Sequence, residues 1–323
     1  MTTPHVKIVY GSAGITHIDK ADMNSVVDIL KKNNVDEIDT ARIYPGSEKA
    51  LGDHGFSKHF IVDTKARGFA PNALTSEGIK AAIDESLSDL QVDSVETYFL
   101  HSPDPATPIE ETLAAINELY NQKKFKRFGV SNFSPSQVEQ IYDLCHKHGY
   151  VLPSVYQGNY NAVSRAIESD LFPILRKLNI SFYAYSPIAG GFLARTKQDL
   201  TSGTPNRFNQ KDMVGTIYNS LYNKPELVKG LETWGSLAEK AGTTRAGLAY
   251  RWIIYHSELS KQNGDAVIIG VRSVAQLEQI FEFVNEGPIK DESIVSEIDK
   301  LWDNVKDEAP VNNYSFVEKQ ISG

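Results

Sequence analysis

Four titratable side chains of four different types follow the early predicted strands of this sequence. Asp39 and Tyr44 lie five residues apart in the stretch VDEIDTARIYPG, Lys65 ends the run HFIVDTK, and His101 ends the run SVETYFLH. A phenol can donate a proton to a carbonyl oxygen, and an ammonium close by lowers the pKa of that phenol. A carboxylate keeps such an ammonium charged away from water, and Asp39 is placed to pair with Lys65. The combination predicts protonation of a carbonyl group, with Tyr44 as the general acid.

His101 completes this set, because its ring nitrogens can orient a carbonyl oxygen beside the phenol or join the proton transfer. None of the four groups reduces a carbonyl, so a hydride would have to come from a bound cofactor. Each residue also has an ordinary structural interpretation. Asp39 can cap a helix, Lys65 can be a solvated charge, and Tyr44 and His101 can be loop residues that pack or bond to backbone. Their joint placement after three consecutive strands favours the functional interpretation.

Eight short runs of β-branched or aromatic residues are each followed by a segment with apolar residues at helical spacing. They begin with VKIVYG at residues 6–11 and end with DAVIIGV at residues 265–271. Strict alternation without a break in composition predicts a parallel sheet covered by helices, and eight units close a (β/α)8 barrel. We therefore predict an α/β fold, a single TIM barrel domain over residues 1–323. The chemistry of such barrels lies at the C-terminal strand ends, so the four side chains should meet on one rim.

The longest stretch without a clear period covers residues 187–223, after the seventh strand. Long irregular loops in compact domains are usually functional. We predict that this loop lies over the barrel mouth, together with a C-terminal helix and tail. A capping box, formed by Ser134 and Gln137 with Pro135 at the first helical position, predicts a helix start.

Composition and charge exclude several classes of protein. The net charge is −8, and acidic and basic residues are mixed along the chain, so there is no basic face for nucleic acid or an anionic membrane. Cys145 is the only cysteine, which excludes an intramolecular disulfide framework and a cysteine-rich metal site. No metal is expected. The sequence has no signal-peptide pattern and no run of about 18 apolar residues, which predicts a soluble cytoplasmic protein.

Seven motifs occur in order along the chain: DTARIY, VDTKA, YFLHSPD, GVSNF, YQGNYN, AYSPIAGG and IIGVRSVAQLEQ. They resemble the ordered motifs of the aldo-keto reductases, and the sequence is most similar to the aflatoxin-aldehyde and succinic-semialdehyde reductase branch. The resemblance covers nearly the whole chain, from about residue 6 to about residue 285. It implies an NADPH-dependent enzyme that reduces aldehydes or ketones to alcohols. It also implies that Asp39, Tyr44, Lys65 and His101 are the catalytic tetrad.

The resemblance further implies a set of cofactor contacts. Ser131, Asn132 and Gln157 would bind the nicotinamide carboxamide, Tyr185 would stack on the nicotinamide ring, and Ser186, Pro187, Gly190, Gly191 and Leu193 would lie along the pyrophosphate. Gly270, Arg272, Ser273, Gln276 and Gln279 would complete the site at the adenosine end. Arg272 and Ser273 open a predicted helix, where backbone N–H groups and a guanidinium converge on an anion. A 2′-phosphate distinguishes NADPH from NADH, so we predict NADPH.

Two positions depart from the family pattern. Ile280 stands where an asparagine near the adenine is common, which leaves Gln276 and Gln279 as substitutes. Reductases of this branch that act on acidic semialdehydes use arginines in the mouth and near the C-terminus. Arg207 fits the arginine of the mouth. The tail APVNNYSFVEKQ has no arginine, so a preference for acidic substrates is not predicted.

The substrate is predicted to be a small carbonyl compound. Its candidate contacts are Tyr44, His101, Arg207, Tyr222 and Tyr314, although Arg207 can equally pair with Asp212 on the surface and the loop tyrosines can be solvated. The protein is expected to be a monomer or a homodimer.

Two alternative functions stay open from the sequence. Potassium-channel β subunits resemble the same fold and act mainly as partner-binding, redox-sensing modules. Their distinguishing feature is an N-terminal extension, and this chain begins within a few residues of its first strand. A Schiff-base aldolase on a similar barrel would use a strand-end lysine, here Lys65, as its nucleophile.

Overall fold

The structure is a computed structural model that describes residues 6–201, 208 and 213–321. Eight parallel strands pair in chain order, and the sheet closes because β8 pairs with β1. The strands are β1 (Lys7–Gly11), β2 (Glu37–Asp39), β3 (Ile61–Lys65), β4 (Val95–Leu100), β5 (Phe125–Ser131), β6 (Pro153–Asn159), β7 (Ser181–Tyr185) and β8 (Ala266–Gly270). The predicted single-domain TIM barrel is confirmed.

Helices follow the strands and cover the outside of the barrel. They are α1 (Met23–Lys32), α2 (Ser47–Asp53), α3 (Ser76–Leu90), α4 (Ile109–Asn121), α5 (Pro135–His148), α6 (Ile167–Asp170), α7 (Phe172–Lys177), α8 (Lys197–Thr201), α9 (Met213–Tyr222), α10 (Pro225–Lys240), α11 (Arg245–Tyr255), α12 (Val274–Asn285), α13 (Glu292–Val305) and α14 (Tyr314–Ile321). The predicted capping box is present, since Ser134 accepts from the N–H of Gln137 and the Gln137 side chain accepts from the N–H of Ser134. Such a cap satisfies two N–H groups that an isolated helix start leaves unpaired.

The stretch 187–223 is more regular than predicted, because α8 and α9 lie within its described part. Helix α9 buries Leu221 and Tyr222, and the Tyr222 ring stacks against Phe192 and Tyr218. Helices of five and ten residues contain too few turns to produce a clear apolar period in the sequence. The prediction of an irregular loop was therefore wrong for this part of the stretch.

The barrel interior is apolar in its middle and polar at both ends. The middle is a buried cluster that consists of Val9, Phe99, Val155, Tyr183, Ala266 and Ile268. Side chains two residues apart on a strand share a face, so the same inner face of β2 carries Glu37 and Asp39, and that of β3 carries Asp63 and Lys65. The sheet thus brings charged groups to each end of one closed interior.

The segment between α13 and α14 crosses the C-terminal end of the barrel. The Ser164 hydroxyl donates to the carbonyl of Pro310, and Lys224 Nζ donates to the carbonyl of Glu308 at 2.6 Å. Beyond these contacts, the N–H of Asn313 donates to the Tyr185 hydroxyl at 3.1 Å. Three anchors on separate elements hold the tail over the mouth.

Helix α5 carries Cys145, which is buried in the core. Burial raises the pKa of its thiol to about 12. A thiol in this environment stays protonated at neutral pH and behaves as a small apolar side chain. Within the described ranges, no helix combines the length and the apolar composition that a membrane crossing requires.

Candidate active site

Three residues of the predicted tetrad lie at neighbouring strand ends, as the sequence indicates. Asp39 ends β2, Lys65 ends β3 and His101 directly follows β4, and all three are buried. Lys65 is 0% exposed, and its Nζ donates to Asp39 Oδ1 at 2.5 Å and to the carbonyl of Thr40 at 2.7 Å. A fully buried ammonium needs such partners, because an unpaired charge in this position would be strongly destabilising.

Tyr44 approaches this pair from the loop between β2 and α2. Its ring is half-buried, and Lys65 Nζ lies 5.4 Å from the ring centroid. The rings of Tyr44 and His101 meet edge to face with their centroids 5.9 Å apart. The structure therefore brings a phenol, an ammonium and an imidazole together on one rim.

The pKa of Tyr44 differs in direction from the sequence argument. Burial of the phenol and then the negative charge of Asp39 raise this pKa well above its ordinary value. The sequence argument paired Lys65 with Asp39 but considered only the effect of the ammonium on the phenol, and it left out the burial of the phenol and the negative charge of Asp39. The prediction of a lowered Tyr44 pKa was wrong. At neutral pH this phenol holds its proton and is available as a donor.

His101 is a neutral imidazole at neutral pH. Burial and then the charge of Lys65 lower its pKa well below its ordinary value, although the backbone of Ala66 acts in the opposite direction. Its Nδ1 atom is buried and has no hydrogen-bond partner within the described part of the chain. A neutral imidazole has one nitrogen that donates and one that accepts, so it can bind a polar atom at the ring nitrogen that faces the site.

Gln157 joins this group through Asp39. Its Nε2 donates to Asp39 Oδ1 at 2.8 Å, so the carboxylate oxygen that binds Lys65 also binds Gln157. The sequence assigned Gln157 to the cofactor and missed this contact, because the two residues are 118 positions apart. The signal available in advance was a glutamine near the C-terminal end of the predicted strand β6.

Phe69 is a site residue that the sequence analysis missed. Its backbone has φ of 60°, which is unusual for a bulky residue, and its N–H donates to Ser102 Oγ at 2.8 Å. The ring centroid lies 5.1 Å from that of His101 and 6.2 Å from that of Tyr314. An aromatic wall therefore runs from the imidazole to the C-terminal tail. Nothing local in the sequence indicates the left-handed backbone at this position.

Two predicted cofactor residues at the end of β5 are tied to the rest of the site. Asn132 has φ of 66° and donates from Nδ2 to the carbonyl of His101 at 2.9 Å and to Ser131 Oγ at 3.0 Å. Its Oδ1 accepts from the Tyr185 hydroxyl at 2.6 Å. Ser131, Asn132 and Tyr185 thus form one hydrogen-bonded network beside the imidazole, whereas Gln157 binds Asp39.

The loop after β7 has an unusual backbone. Ser186 and Ala189 have φ of 56° and 52°, and Gly190 and Gly191 have φ of 67° and 103°. A Cβ atom on Gly190 would lie 2.1 Å from the ring of Tyr218, so only glycine fits there. These conformations close a tight turn, in which the N–H groups of Ala189 and Gly191 donate to the carbonyls of Ser186 and Ile188. Pro187 and Leu193 of the same predicted set belong to this loop and are buried.

The start of α12 lies at the end of β8. Ser273 caps this helix by accepting from the N–H of Gln276, and Gln276 Oε1 accepts from the N–H of Arg272 at 2.8 Å. The Arg272 side chain is exposed beside a helix N-terminus, a combination that suits an anion. Gln279 is exposed on the same helix, whereas Ile280 is buried in the core.

Of the two tyrosines predicted from the loop and the tail to contact the substrate, one lies at the barrel mouth and the other lies in the core. Tyr314 is buried against Phe69 at the mouth, close to the imidazole. Tyr222 is fully buried below the mouth, where its hydroxyl donates to Asn159 Oδ1 and accepts from Asn161 Nδ2. The prediction that Tyr222 lines the substrate pocket is corrected, because the packing of α9 turns it into the core. Arg207 lies outside the described residues.

Comparisons with known proteins agree with this geometry. The sequence model of the aldo/keto reductase family matches residues 7–303. The oxidoreductase sirO of Leptosphaeria maculans is 41% identical over 286 residues, which cover 88% of this chain and 86% of the relative. The human aldo-keto reductase family 7 member A3 is 36% identical over 292 residues, which cover 85% and 86% of the two chains.

A third relative extends this agreement. The aflatoxin B1 aldehyde reductase member 2 of Mus musculus is 35% identical over 291 residues, which cover 85% of this chain and 78% of the relative. The family match covers every strand of the barrel and all four residues of the predicted tetrad. This chain belongs to the aldo/keto reductase family.

Proposed function

We propose that this protein reduces the carbonyl group of small aldehydes or ketones to an alcohol, with NADPH as the reductant. The observation that carries the proposal is the buried Lys65–Asp39 pair at 2.5 Å, with the Tyr44 phenol and the His101 imidazole directly beside it. These groups can supply a proton to a carbonyl oxygen and can hold that oxygen in place.

Each residue has a distinct part in this proposal. Tyr44 holds its proton at neutral pH and donates it to the carbonyl oxygen as negative charge develops there. Lys65 stabilises the phenolate that remains, and Asp39 keeps Lys65 in position. His101 is neutral and donates a hydrogen bond to the same oxygen, which lowers the barrier by stabilising charge that appears only in the transition state.

The cofactor would be held by the residues beside the tetrad. When bound, NADPH supplies the hydride that no side chain of this protein can provide. Ser131, Asn132 and Gln157 would bind its carboxamide, and the ring of Tyr185 would stack on the nicotinamide. The loop of residues 186–193 would lie along the pyrophosphate, as the family resemblance implies, and the exposed Arg272 at the start of α12 suits the 2′-phosphate.

Aldehydes are the first substrate class to test. One relative is named for the reduction of an aflatoxin aldehyde, and the aromatic wall of Phe69 and Tyr314 suits an apolar substituent on the carbonyl carbon. A screen of aldehydes, ketones and sugars that follows the loss of NADPH absorbance at 340 nm would identify the preferred class.

The variant Tyr44→Phe tests the assigned acid. We expect it to bind NADPH as the wild type does, measured by quenching of tryptophan fluorescence, and to lose most turnover, by about 10²- to 10⁴-fold. Tyr120→Phe is a matched control, because Tyr120 is an exposed tyrosine on α4. Turnover close to the wild-type rate in Tyr44→Phe would remove Tyr44 from its proposed role.

The variant Arg272→Ala tests the choice of cofactor. Loss of the guanidinium should raise the Michaelis constant for NADPH far more than that for NADH, because only NADPH carries the 2′-phosphate. An equal change for both cofactors would exclude the assignment of Arg272 to the 2′-phosphate.

The two alternative functions make different demands on the same site. A Schiff-base aldolase needs an unprotonated Lys65, yet this side chain donates hydrogen bonds to Asp39 and to Thr40. Trapping of a carbonyl compound on Lys65 by borohydride, without any change in NADPH absorbance, would favour the aldolase. A cofactor-binding regulatory subunit would bind NADPH and show no turnover with any carbonyl compound.

A further inference from the structure

We propose that Arg42 is a positioning residue for the proposed reaction: through Glu48 it fixes the turn that carries Tyr44 against the strand that carries Lys65. The inference rests on the proposed role of Tyr44 as proton donor. Arg42 lies two residues before Tyr44. Its side chain binds Glu48, Asp89 and Glu85, none of which belongs to the tetrad. It would therefore act by setting the distance between the phenol and the ammonium.

The guanidinium of Arg42 binds carboxylates from two helices. Its Nη1 donates to Glu48 Oε2 on α2 at 2.5 Å and to Asp89 Oδ2 on α3 at 2.6 Å. Its Nε lies 3.1 Å from Glu85 Oε2, also on α3. The Arg42 side chain is only 20% exposed, so water screens these contacts less than it screens ordinary surface ion pairs.

Glu48 continues the connection to β3. Its carboxylate is buried, and its Oε1 accepts from the Thr64 hydroxyl at 2.6 Å. Thr64 directly precedes Lys65. The backbone N–H of Arg42 also donates to the carbonyl of Lys65 at 3.2 Å. Side chain and backbone of Arg42 thus bind the same end of β3 by two independent routes.

The other side of the turn is held by different groups. Ser12, Thr40 and Ser47 form a buried cluster of hydroxyls, in which Ser47 Oγ lies 2.8 Å from Ser12 Oγ and 2.9 Å from Thr40 Oγ1. Ser12 Oγ donates to the carbonyl of Asp39 at 2.9 Å. This cluster fixes the turn to the β1 side. On the β3 side Lys65 Nζ and the carbonyl of Asp63 hold Thr40, at the start of the turn, and Arg42 holds the part of the turn that leads to Tyr44.

The local shape of the turn does not depend on Arg42. The N–H of Tyr44 donates to the carbonyl of Ala41 at 2.9 Å, and the N–H of Ser47 donates to the carbonyl of Tyr44 at 3.1 Å. Removal of the guanidinium should therefore leave the turn folded, with the backbone bond from Arg42 to Lys65 intact but without the side-chain link through Glu48 that limits its movement against β3. A displacement of about 1 Å in a reacting group can lower turnover about 10²-fold.

The test compares Arg42→Met with Arg67→Met. Arg67 is a matched control because it binds the same Glu85, at 2.5 Å, but its side chain is 49% exposed and it makes no contact with the Tyr44 turn. We expect Arg42→Met to lower kcat by about 10- to 100-fold. The Michaelis constant and the dissociation constant for NADPH should stay within about twofold of the wild type, and Arg67→Met should match the wild type in all three.

Two further measurements separate positioning from simple loss of stability. The deuterium isotope effect on kcat, measured with NADPH deuterated at the transferred position, should increase in Arg42→Met because the chemical step becomes slower. Arg42→Lys should recover part of the lost turnover, because an ammonium can still bind Glu48 but cannot bridge three carboxylates. If Arg42→Met does not fold, Glu48→Gln supplies the same comparison through the other half of the pair.

The inference would be overturned by wild-type kcat in Arg42→Met, or by an equal loss in Arg67→Met. It would also be overturned by a loss that appears only in the NADPH dissociation constant. These results differ from failure of the proposed function itself, in which the wild type would bind NADPH and reduce no carbonyl compound in the same assay.

Discussion

The two ends of the barrel interior each contain a lysine paired with a carboxylate of strand β2. At the C-terminal end Lys65 binds Asp39 at 2.5 Å, and at the N-terminal end Lys7 binds Glu37 at 2.6 Å. Both carboxylates are buried, but Lys65 is 0% exposed and the Lys7 side chain is 33% exposed. One strand thus carries two similar ion pairs, two residues apart, to opposite ends of the barrel.

The surroundings of the two pairs differ in kind. At the C-terminal end the neighbours are Tyr44, which a loop supplies, and a neutral His101 with an unused nitrogen. At the N-terminal end the neighbours belong to strands. Asp63 Oδ1 accepts from the N–H of Thr97 at 2.9 Å, and Arg127 donates to the Tyr183 hydroxyl at 3.3 Å.

A second acid, Asp63, lies beside Glu37 at the N-terminal end. Burial and then the charge of Glu37 raise the pKa of Asp63 well above its ordinary value, so Asp63 is protonated. Burial alone would raise the pKa of Glu37 too, but hydrogen bonds from Asp63 and Lys7 lower it below its ordinary value. The two buried ion pairs therefore differ in one respect that bears on the proposed function: only the Lys65–Asp39 pair has the phenol of a loop tyrosine beside it.

The largest expected difference between the two ends is in turnover. Lys65→Met should lower kcat by about 10²- to 10⁴-fold, because the phenolate of Tyr44 loses its cation. Lys7→Met should leave kcat within about twofold of the wild type, since Lys7 lies at the other end of the barrel. Turnover is measured with the aldehyde that the wild type reduces fastest. Equal losses in the two variants would refute the distinction.

Lys65→Met leaves Asp39 buried without its ion-pair partner, so its folding must be checked separately. The double variant Lys65→Met with Asp39→Asn removes both charges. It should unfold at a higher temperature than Lys65→Met alone and should stay inactive. Recovery of activity in the double variant would show that lost stability, not lost chemistry, explains the single variant.

The next difference concerns stability. Glu37→Gln should lower the free energy of unfolding by about 2 kcal/mol, less than the loss expected for a wholly buried pair because Lys7 is partly hydrated. The folded fraction should keep its kcat. Urea unfolding followed by circular dichroism measures the first quantity, and a steady-state assay well below the transition measures the second. A matching loss of kcat would mean that the two ends are coupled.

The last expected difference is in how stability depends on pH. A carboxyl with a raised folded pKa contributes stability below its unfolded pKa, near 3.8, and loses that contribution as the pH rises through the folded pKa. The Asp63→Asn variant has no titratable group at this position and does not lose this contribution. The free energy of unfolding of the variant minus that of the wild type should therefore increase with pH, by up to about 1.4 kcal/mol per pH unit. Lys7, Glu37, Asp39 and Tyr183 remain in the variant and act as before. Parallel stability curves for the two proteins between pH 4 and 8 would contradict a protonated Asp63.

Much of this architecture follows from local patterns in the sequence. The alternation of short β-branched runs with helical periods predicted the barrel, because each pattern reflects the face that one element buries. The same alternation placed Asp39, Lys65 and His101 on one rim, since parallel strands all end at the same edge of the sheet.

The rest depends on contacts between residues that are distant in the sequence. The Arg42 guanidinium binds one partner 6 residues away and another 47 residues away, and Gln157 binds Asp39 across 118 residues. No spacing rule indicates such pairs. The pKa of Tyr44 was predicted in the wrong direction for the same reason, because burial of a loop residue is decided by the elements that close around it.

The buried state of Cys145 has a practical consequence. A thiol that stays protonated in the core does not react with maleimides at neutral pH, so the native protein offers no competing attachment point. Val311, which is 50% exposed on the tail next to the barrel mouth, can then be replaced by a cysteine and labelled with a fluorophore without further substitutions. Such a reporter would follow, in real time, how the tail responds when molecules enter and leave the mouth.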